Sequence, residues 1–171
     1  MKKLFLSTLF ILCLIPAMGQ LKHVKGISNI GFTGGITGNG KLLGAGYSHY
    51  LQPRWILNVN AVLETGKVES TNLKNFIVSG GVDHTFFEAG ESLYLNAGLS
   101  LYTGLEKLTS TEKGAGGTVK NYTFGPAGNI NVEWYFSSRF LIQIKAEQYF
   151  CPLSKLGKWF PACSLSLKYC F

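Results

Sequence analysis

The sequence predicts an all-β fold, an eight-stranded antiparallel up-and-down transmembrane barrel that follows a cleaved signal peptide. Three observations predict it. Apolar and polar residues alternate with period two along eight segments, as in strands with one face toward lipid and one toward the lumen. The connections alternate between short and long. Aromatic residues collect near the strand ends, where the two membrane interfaces would lie.

The composition fits a β protein whose outer surface does not meet water. The 171 residues include 21 Gly, 12 Phe, 8 Tyr and 3 Trp, and only 15% are charged, against roughly 25% in a typical soluble domain. A net charge of +7 can indicate nucleic-acid binding. Once Lys2 and Lys3 are removed with the signal peptide, however, no Lys/Arg cluster remains. We therefore expect no direct contact with nucleic acid.

Residues 1–19 have the pattern of a secretory signal peptide. Lys2 and Lys3 form the charged region, the run from Leu4 to Ile15 is apolar, and Ala17-Met18-Gly19 is a small-x-small cleavage site. The apolar run is shorter than the roughly 20 residues of a transmembrane helix. We expect an exported chain whose residues 20–171 form the barrel, in the outer membrane of a Gram-negative bacterium.

The eight strand segments follow one another along the mature chain. We expect strands near residues 27–36, 42–51, 55–64, 76–86, 93–102, 122–136, 140–149 and 159–171. The connections at 65–74, 104–120 and 151–157 are the long ones, while those after the second, fourth and sixth strands are short. Outer-membrane barrels have short periplasmic turns and longer external loops, so we expect both termini to be periplasmic.

The closing strand shows the alternation most clearly. Its outward face is apolar and ends in Tyr169 and Phe171, whereas its inward face is small and polar with one charge, Lys168. This strand resembles the last strand of outer-membrane barrels, whose terminal aromatic residue is recognised by the barrel-assembly machinery. We therefore expect Tyr169 and Phe171 to be the barrel-insertion signal.

The outward aromatics predict two belts. The periplasmic belt would contain Trp55, Phe86, Trp134, Phe136, Phe140, Tyr169 and Phe171. The outer belt would contain Phe76, Tyr122, Phe124, Phe150, Trp159 and Phe160. Amphipathic rings prefer the headgroup level, so two such belts favour contact with outer-membrane lipid.

Charged residues on the inward faces predict a polar plug. An eight-stranded barrel is just wide enough for side chains to fill, and an unpaired charge there would cost several kcal/mol. We hypothesise that ion pairs around Lys145 and Lys168 close the lumen, so that replacing either lysine by Met lowers thermal stability. An ion-conducting lumen is the alternative. The plug residues are Glu64, Asp83, Glu133, Lys145, Glu147 and Lys168.

The sequence predicts no catalytic, cofactor or metal site. His23 precedes the barrel, and neither Asp83-His84 nor Ser48-His49 can form a dyad, because adjacent strand residues point to opposite faces. Motifs such as Gly-x-Ser-x-Gly are missing from the sequence. We do not expect the remaining cysteines to pair, since their number is odd and their spacing irregular. They are Cys151, Cys163 and Cys170.

The chain resembles the TraO family of the conjugative transposons found in Bacteroides-type bacteria. The matching segments are Lys25-Gly26-Ile27 through Phe32-Thr33-Gly34-Gly35, Tyr135-Phe136-Ser137-Ser138-Arg139, Leu156-Gly157-Lys158-Trp159 and the Ser-Leu-Lys end of the last strand. Their order and spacing carry the resemblance. The three late cysteines and Pro161 depart from the family pattern.

The resemblance implies a structural, non-enzymatic component of a conjugative mating apparatus at the outer membrane, beside other conjugal transfer proteins. It supplies no catalytic residues. Two alternatives stay open: a free-standing small barrel that stabilises the envelope or binds a surface ligand, and a lipid-modifying enzyme. The second would need a Ser/His/acid set at the outer rim.

Overall fold

The computed structural model describes residues 23–68, 71–110, 117–154 and 157–171, so the predicted signal peptide lies outside the described residues. Eight antiparallel strands form a closed barrel in which each strand pairs with its sequence neighbours and the last pairs with the first. This confirms the predicted fold class. The strands are β1 (Ser28–Thr37), β2 (Gly40–Gln52), β3 (Trp55–Val68), β4 (Thr71–Ala89), β5 (Leu93–Ser110), β6 (Thr118–Tyr135), β7 (Phe140–Phe150) and β8 (Trp159–Cys170).

Two predicted loops are wrong. Most of residues 65–74 and 104–120 belongs to strands, because β3 and β4 pair as far as Val68 and Thr71 and β5 and β6 pair as far as Thr109 and Thr118. The third connection is therefore short. These segments carry Thr, Lys and Glu outside the apolar band, a composition typical of loops, yet their inward and outward alternation continues. Strands β4, β5 and β6 have 18 or 19 residues, well beyond the roughly 9–11 needed to cross a bilayer.

The barrel has two distinct ends. The terminal end holds Ser28, Phe171 and the turns after β2, β4 and β6, and the loop end holds the other four connections. At the terminal end the backbone of Phe171 donates to the Ser28 carbonyl at 2.9 Å and accepts from the Ser28 N–H at 3.0 Å. These two bonds close the ladder between β1 and the C-terminus.

The exterior of the barrel is apolar, as the alternation predicted. Phe32 is 80% exposed and Leu99 is 75% exposed, and many other outward aliphatic residues are exposed along the wall. The described residues contain no helix long and apolar enough to span a membrane. Contact of so much apolar surface with water is unfavourable, so this exterior fits an apolar environment.

Aromatic rings line the exterior near the terminal end. The centroid distances are 6.1 Å for Trp134–Phe136, 6.2 Å for Phe136–Phe140, 5.3 Å for Phe140–Tyr169 and 6.5 Å for Tyr169–Phe171. At the loop end, Phe150 and Trp159 lie 4.7 Å apart. The assignment of Phe160 to the outer belt is wrong, because it shares the inward face of β8 with Ala162 and packs against a buried cluster.

Candidate functional site in the barrel lumen

The lumen is filled by side chains in three regions that follow one another along the barrel axis. We call them the terminal-mouth cluster (His23, Tyr50, Tyr94, Glu133, Tyr135 and Lys168), the amide network (Asp83, Asn96, Asn129, Asn131 and Gln143) and the loop-end cup (Glu64, Asn75, Tyr102, Glu106 and Thr123). An apolar cluster, which includes Leu42, Val62 and Ile77, packs between the walls near the loop end.

His23 lies inside the terminal mouth, although it precedes β1. Its ring stacks on Tyr94 with centroids 3.7 Å apart and planes at 9°. Its Nε2 lies 3.0 Å from Glu133 Oε2 and its Nδ1 lies 3.1 Å from the Pro53 carbonyl oxygen. His23 therefore precedes the barrel in the chain, as the sequence indicated, but its side chain lies inside the mouth. The leader folds back to supply a side chain that is only 5% exposed.

Glu133 is the centre of the terminal-mouth cluster. The carboxylate is 1% exposed and accepts hydrogen bonds from the Tyr50 hydroxyl at 3.0 Å and from Gln143 Nε2 at 3.1 Å. Lys168 Nζ lies 3.8 Å from Glu133 Oε1 and donates to Ser48 Oγ at 3.1 Å. A buried carboxylate needs such partners because an unpaired charge in the interior is costly.

Gly31 makes room for the Lys168 stem. A Cβ at position 31 would lie 2.6 Å from Lys168 Cγ and 2.5 Å from the Leu167 carbonyl oxygen. Any larger residue at this position of β1 would push the lysine or the β8 backbone away.

Asp83 anchors the amide network in the middle of the lumen. It accepts hydrogen bonds from Asn129 Nδ2 at 3.0 Å and Asn131 Nδ2 at 2.9 Å. Asn131 Oδ1 in turn accepts from Gln143 Nε2 at 3.1 Å, so the network reaches Glu133 through Gln143. Gly98 permits this arrangement, because a Cβ there would overlap with the Asp83 carboxylate.

Lys145 and Glu147 form a second ion pair on β7. Lys145 Nζ lies 3.6 Å from Glu147 Oε1, and the Tyr149 hydroxyl donates to Glu147 Oε2 at 2.6 Å. The three residues share the inward face of the strand. This pair is separate from the terminal-mouth cluster, so the two lysines of the predicted plug do not form one group.

Two carboxylates lie in the loop-end cup. Cross-strand pairing places Glu64 opposite Asn75, Asn75 opposite Glu106, and Glu106 opposite Asn121, in one row across β3 to β6. Glu64 is 4% exposed and Glu106 is 3% exposed. The row lines a narrow cavity of about 20 Å³ that is partly open to solvent.

The hydrogen-bond partners of both carboxylates are neutral. Glu64 accepts from Thr37 Oγ1 at 2.5 Å and Asn75 Nδ2 at 3.2 Å. Glu106 accepts from Asn121 Nδ2 at 3.3 Å and Ser154 Oγ at 3.2 Å. Sequence reasoning missed Glu106 because it fell in the predicted loop 104–120. The continuing alternation of Tyr102, Gly104 and Glu106 was the signal that could have found it.

All six predicted plug residues face the lumen, but they do not form one cluster of ion pairs. Within the described ranges, Glu133 and Glu147 have basic partners, whereas Glu64 and Asp83 have neutral ones. The described cysteines are free, with Cys151 and Cys170 buried and Cys163 exposed. The described residues contain no group of three or more His, Cys, Asp and Glu side chains that could hold a metal ion.

The other two histidines contact the wall near the terminal end. His49 Nδ1 and the Tyr47 hydroxyl each lie 2.9 Å from Ser28 Oγ. His84 packs edge-on against Trp55 with centroids 4.6 Å apart. The predicted insertion residues lie on the same rim, where Phe171 is 65% exposed and Tyr169 is 37% exposed.

A closed eight-stranded barrel with an apolar exterior and a filled lumen defines a small barrel of the outer-membrane type. The chain belongs to the conjugative transposon protein TraO family, whose model matches residues 15–171. This confirms the resemblance that the glycine and turn segments indicated. No curated protein sequence matches the chain.

Solved structures with the same fold include several bacterial outer-membrane proteins. The N-terminal barrel domain of Pseudomonas aeruginosa OprF has a TM-score of 0.64 and 14% identity, with 86% of this chain and 98% of that chain covered. Ail, the attachment invasion locus protein of Yersinia pestis, has a TM-score of 0.60 and 15% identity, with coverage of 86% and 100%. Neisserial surface protein A has a TM-score of 0.59 and 11% identity, with 84% of this chain and 94% of that chain covered. At these identities the likeness concerns the fold alone.

Proposed function

We propose that the chain is a structural, non-enzymatic component of a conjugative DNA-transfer apparatus in the outer membrane. The observation that carries the proposal is the family match over residues 15–171. The barrel fold and its apolar exterior agree with a position in lipid. Its partners would be other conjugal transfer proteins.

The filled lumen argues for a role beside the transfer channel rather than as the channel. An eight-stranded barrel has room only for side chains or one small ligand, and Glu133, Asp83 and their partners occupy this interior. DNA therefore would not pass through a single copy. In this proposal the ion pairs of Lys145 and Lys168 belong to a plug that holds the barrel shut.

The long hairpins support a topology with both termini in the periplasm. Strands β4, β5 and β6 extend toward the loop end by several residues beyond what a bilayer requires. Outer-membrane barrels carry their larger connections outside. In this orientation the β3–β4 and β5–β6 hairpins face other proteins at the cell surface.

The terminal aromatics would be the contact for the barrel-assembly machinery. Phe171 is largely exposed at the terminal rim, and its backbone closes the ladder with Ser28. Phe171→Asp should lower the fraction of folded, heat-modifiable protein in membranes. Tyr122→Asp is the matched control, because Tyr122 is 75% exposed near the opposite end, where a charge costs only about 0–1 kcal/mol. Equal folding of both variants would remove the insertion role.

Structural contacts of the described histidines support the non-enzymatic part of the proposal. His23 is held by Tyr94, Glu133 and Pro53. His49 bonds to Ser28 through Nδ1, and the described residues show no carboxylate in ion-pair contact with His49. Unaltered lipid A after deletion of the gene would agree with this, and altered lipid A would favour the enzyme alternative.

Deletion of the coding sequence tests the function directly. The donor strain should grow normally but lose transfer of the transposon, and wild-type protein supplied in trans should restore transfer. A tagged barrel isolated from outer membranes should retain other conjugal transfer proteins. Normal transfer after deletion would favour the free-standing barrel, an alternative supported by the loop-end cup as a place for a surface ligand.

A further inference from the structure

The loop-end cup holds two buried carboxylates whose known partners carry no charge. Glu64 and Glu106 bond to hydroxyl and amide groups, and among the described residues neither makes an ion pair. A buried carboxylate without a cation is costly unless an external cation supplies the charge. The cup opens at the loop end, so such a cation can enter from solvent.

Two further oxygen atoms point into the same cup. Asn75 Oδ1 and Thr123 Oγ1 are buried, and neither has a hydrogen-bond partner among the described residues. They converge over Gly104. A Cβ at that position would lie 2.7 Å from Thr123 Oγ1 and 3.1 Å from Asn75 Oδ1, so the two oxygens are near enough to each other for one donor group to reach both.

The shape and lining of the cup favour an organic cation over a metal ion. Among the residues that line the cup, Glu64 and Glu106 are the two carboxylates. The described residues contain no group of three or more His, Cys, Asp and Glu side chains that could hold a metal ion. The ring of Tyr102 forms part of the wall, and an aromatic face attracts a cation.

We propose that the loop-end cup binds the head of a primary alkylammonium. Its three N–H groups match Asn75 Oδ1, Thr123 Oγ1 and one carboxylate oxygen of Glu106 or Glu64. The methylene chain leaves the cup through its open side. The same chemistry is present in a free alkylamine and in a lysine side chain. The inference does not rest on a role in conjugation.

Calorimetric titration of the full processed barrel, refolded in detergent, tests the proposal. We expect saturable binding of n-butylammonium chloride with one site per barrel. Tetramethylammonium, which has charge but no N–H group, should not bind. Absence of butylammonium binding, or equal binding of tetramethylammonium, would overturn the proposal, and so would binding of calcium ions in place of the amine.

Glu106→Gln keeps the shape of the cup but removes one charge. Loss of a charge-assisted hydrogen bond should weaken butylammonium binding by at least about tenfold. Glu91→Gln is the control, because Glu91 is an exposed residue in the turn after β4, away from the cup. Equal affinities of the two variants would contradict the site. Heat modifiability on gels verifies that both variants are folded.

Thr123→Val separates binding from structure. Replacing an unpartnered buried hydroxyl by a methyl group should raise the thermal midpoint of the free barrel. The same change removes one acceptor, so butylammonium affinity should fall. A purely structural role of Thr123 would leave the affinity unchanged, and that result would overturn the assignment.

Two comparisons identify the source of the amine. N-acetyl-lysine methylamide tests a lysine side chain, and binding as strong as that of butylammonium would extend the site to lysine-bearing partners.

Lys155 follows Ser154 in the sequence, and the hydroxyl of Ser154 bonds to Glu106. The titration is therefore repeated with Lys155→Ala. We expect similar binding with and without this change, and binding only after Lys155 is removed would overturn the proposal, because the chain would supply its own ammonium.

Discussion

The two ends of the lumen treat buried carboxylates in opposite ways. At the terminal mouth, Glu133 has His23 at 3.0 Å and Lys168 at 3.8 Å. In the loop-end cup, Glu64 and Glu106 are equally buried but bond to neutral groups. The terminal mouth therefore satisfies its charge with residues of the chain, whereas the cup leaves room for a charge from outside.

This difference gives the terminal mouth a structural role and the loop-end cup a binding role within one small barrel. Residues that complete each other's charges stabilise the fold and leave little to gain from a ligand. Residues that hold negative charge without a cation lower stability but prepare a binding site. Substitutions at the two ends should accordingly have different effects on unfolding and on affinity.

Glu133→Gln should have the largest effect on stability. The substitution keeps the shape of the side chain but leaves Lys168 buried without its carboxylate, which costs about 3–5 kcal/mol. Unfolding in urea, followed by tryptophan fluorescence in detergent, measures the loss. A change below about 1 kcal/mol would show that the terminal-mouth cluster is not held by charge.

Lys168→Met and Lys145→Met should follow. Lys168→Met removes charge-assisted contacts from Glu133, for which we expect a loss of about 1.5–3 kcal/mol. Lys145→Met should cost less, because Glu147 still accepts from Tyr149 at 2.6 Å. Thermal scans of the two variants beside wild type measure the order. Unchanged midpoints in both would count against the plug.

His23→Ala should have a smaller effect that belongs to the terminal mouth alone. It removes the stacking on Tyr94 and one bond to Glu133, together about 1–2 kcal/mol. Butylammonium affinity at the loop-end cup should stay unchanged, because the cup is at the other end of the lumen. Calorimetry and urea unfolding of the same preparation measure both quantities, and a parallel loss of affinity would mean that the two ends are coupled.

The fold could be predicted from the sequence because membrane strands carry their orientation in every second residue. Leu165 and Leu167 face outward and Ser166 and Lys168 face inward, as the alternation required. Strand ends were predicted less well. Beyond the apolar band an outward residue such as Lys107 no longer needs to be apolar, so the hydrophobic signal stops while the strand continues.

The site was predictable only in part. Alternation placed Glu133 and Lys168 inside, but their pairing depends on the stagger of strands that are distant in the sequence. The position of His23 depends on how the leader folds back into the mouth, and no periodicity marks it. Phe160 was misplaced because its ring lies near a strand end and was assigned to the belt. The inward and outward alternation of β8 places it on the inward face, toward Tyr149 and Ala162.

The most direct test compares the unfolding free energies of Glu133→Gln and Glu64→Gln in the same detergent without ligand. Each substitution removes one buried carboxylate charge and keeps the side-chain shape. We predict that Glu133→Gln loses at least about 2 kcal/mol more unfolding free energy than Glu64→Gln. The unfolding free energy of Glu64→Gln should lie within about 1 kcal/mol of the wild-type value or above it, because the substitution leaves no known cation buried without a partner. Equal losses at the two ends would contradict the division of the lumen into a self-paired mouth and a cup prepared for an external cation.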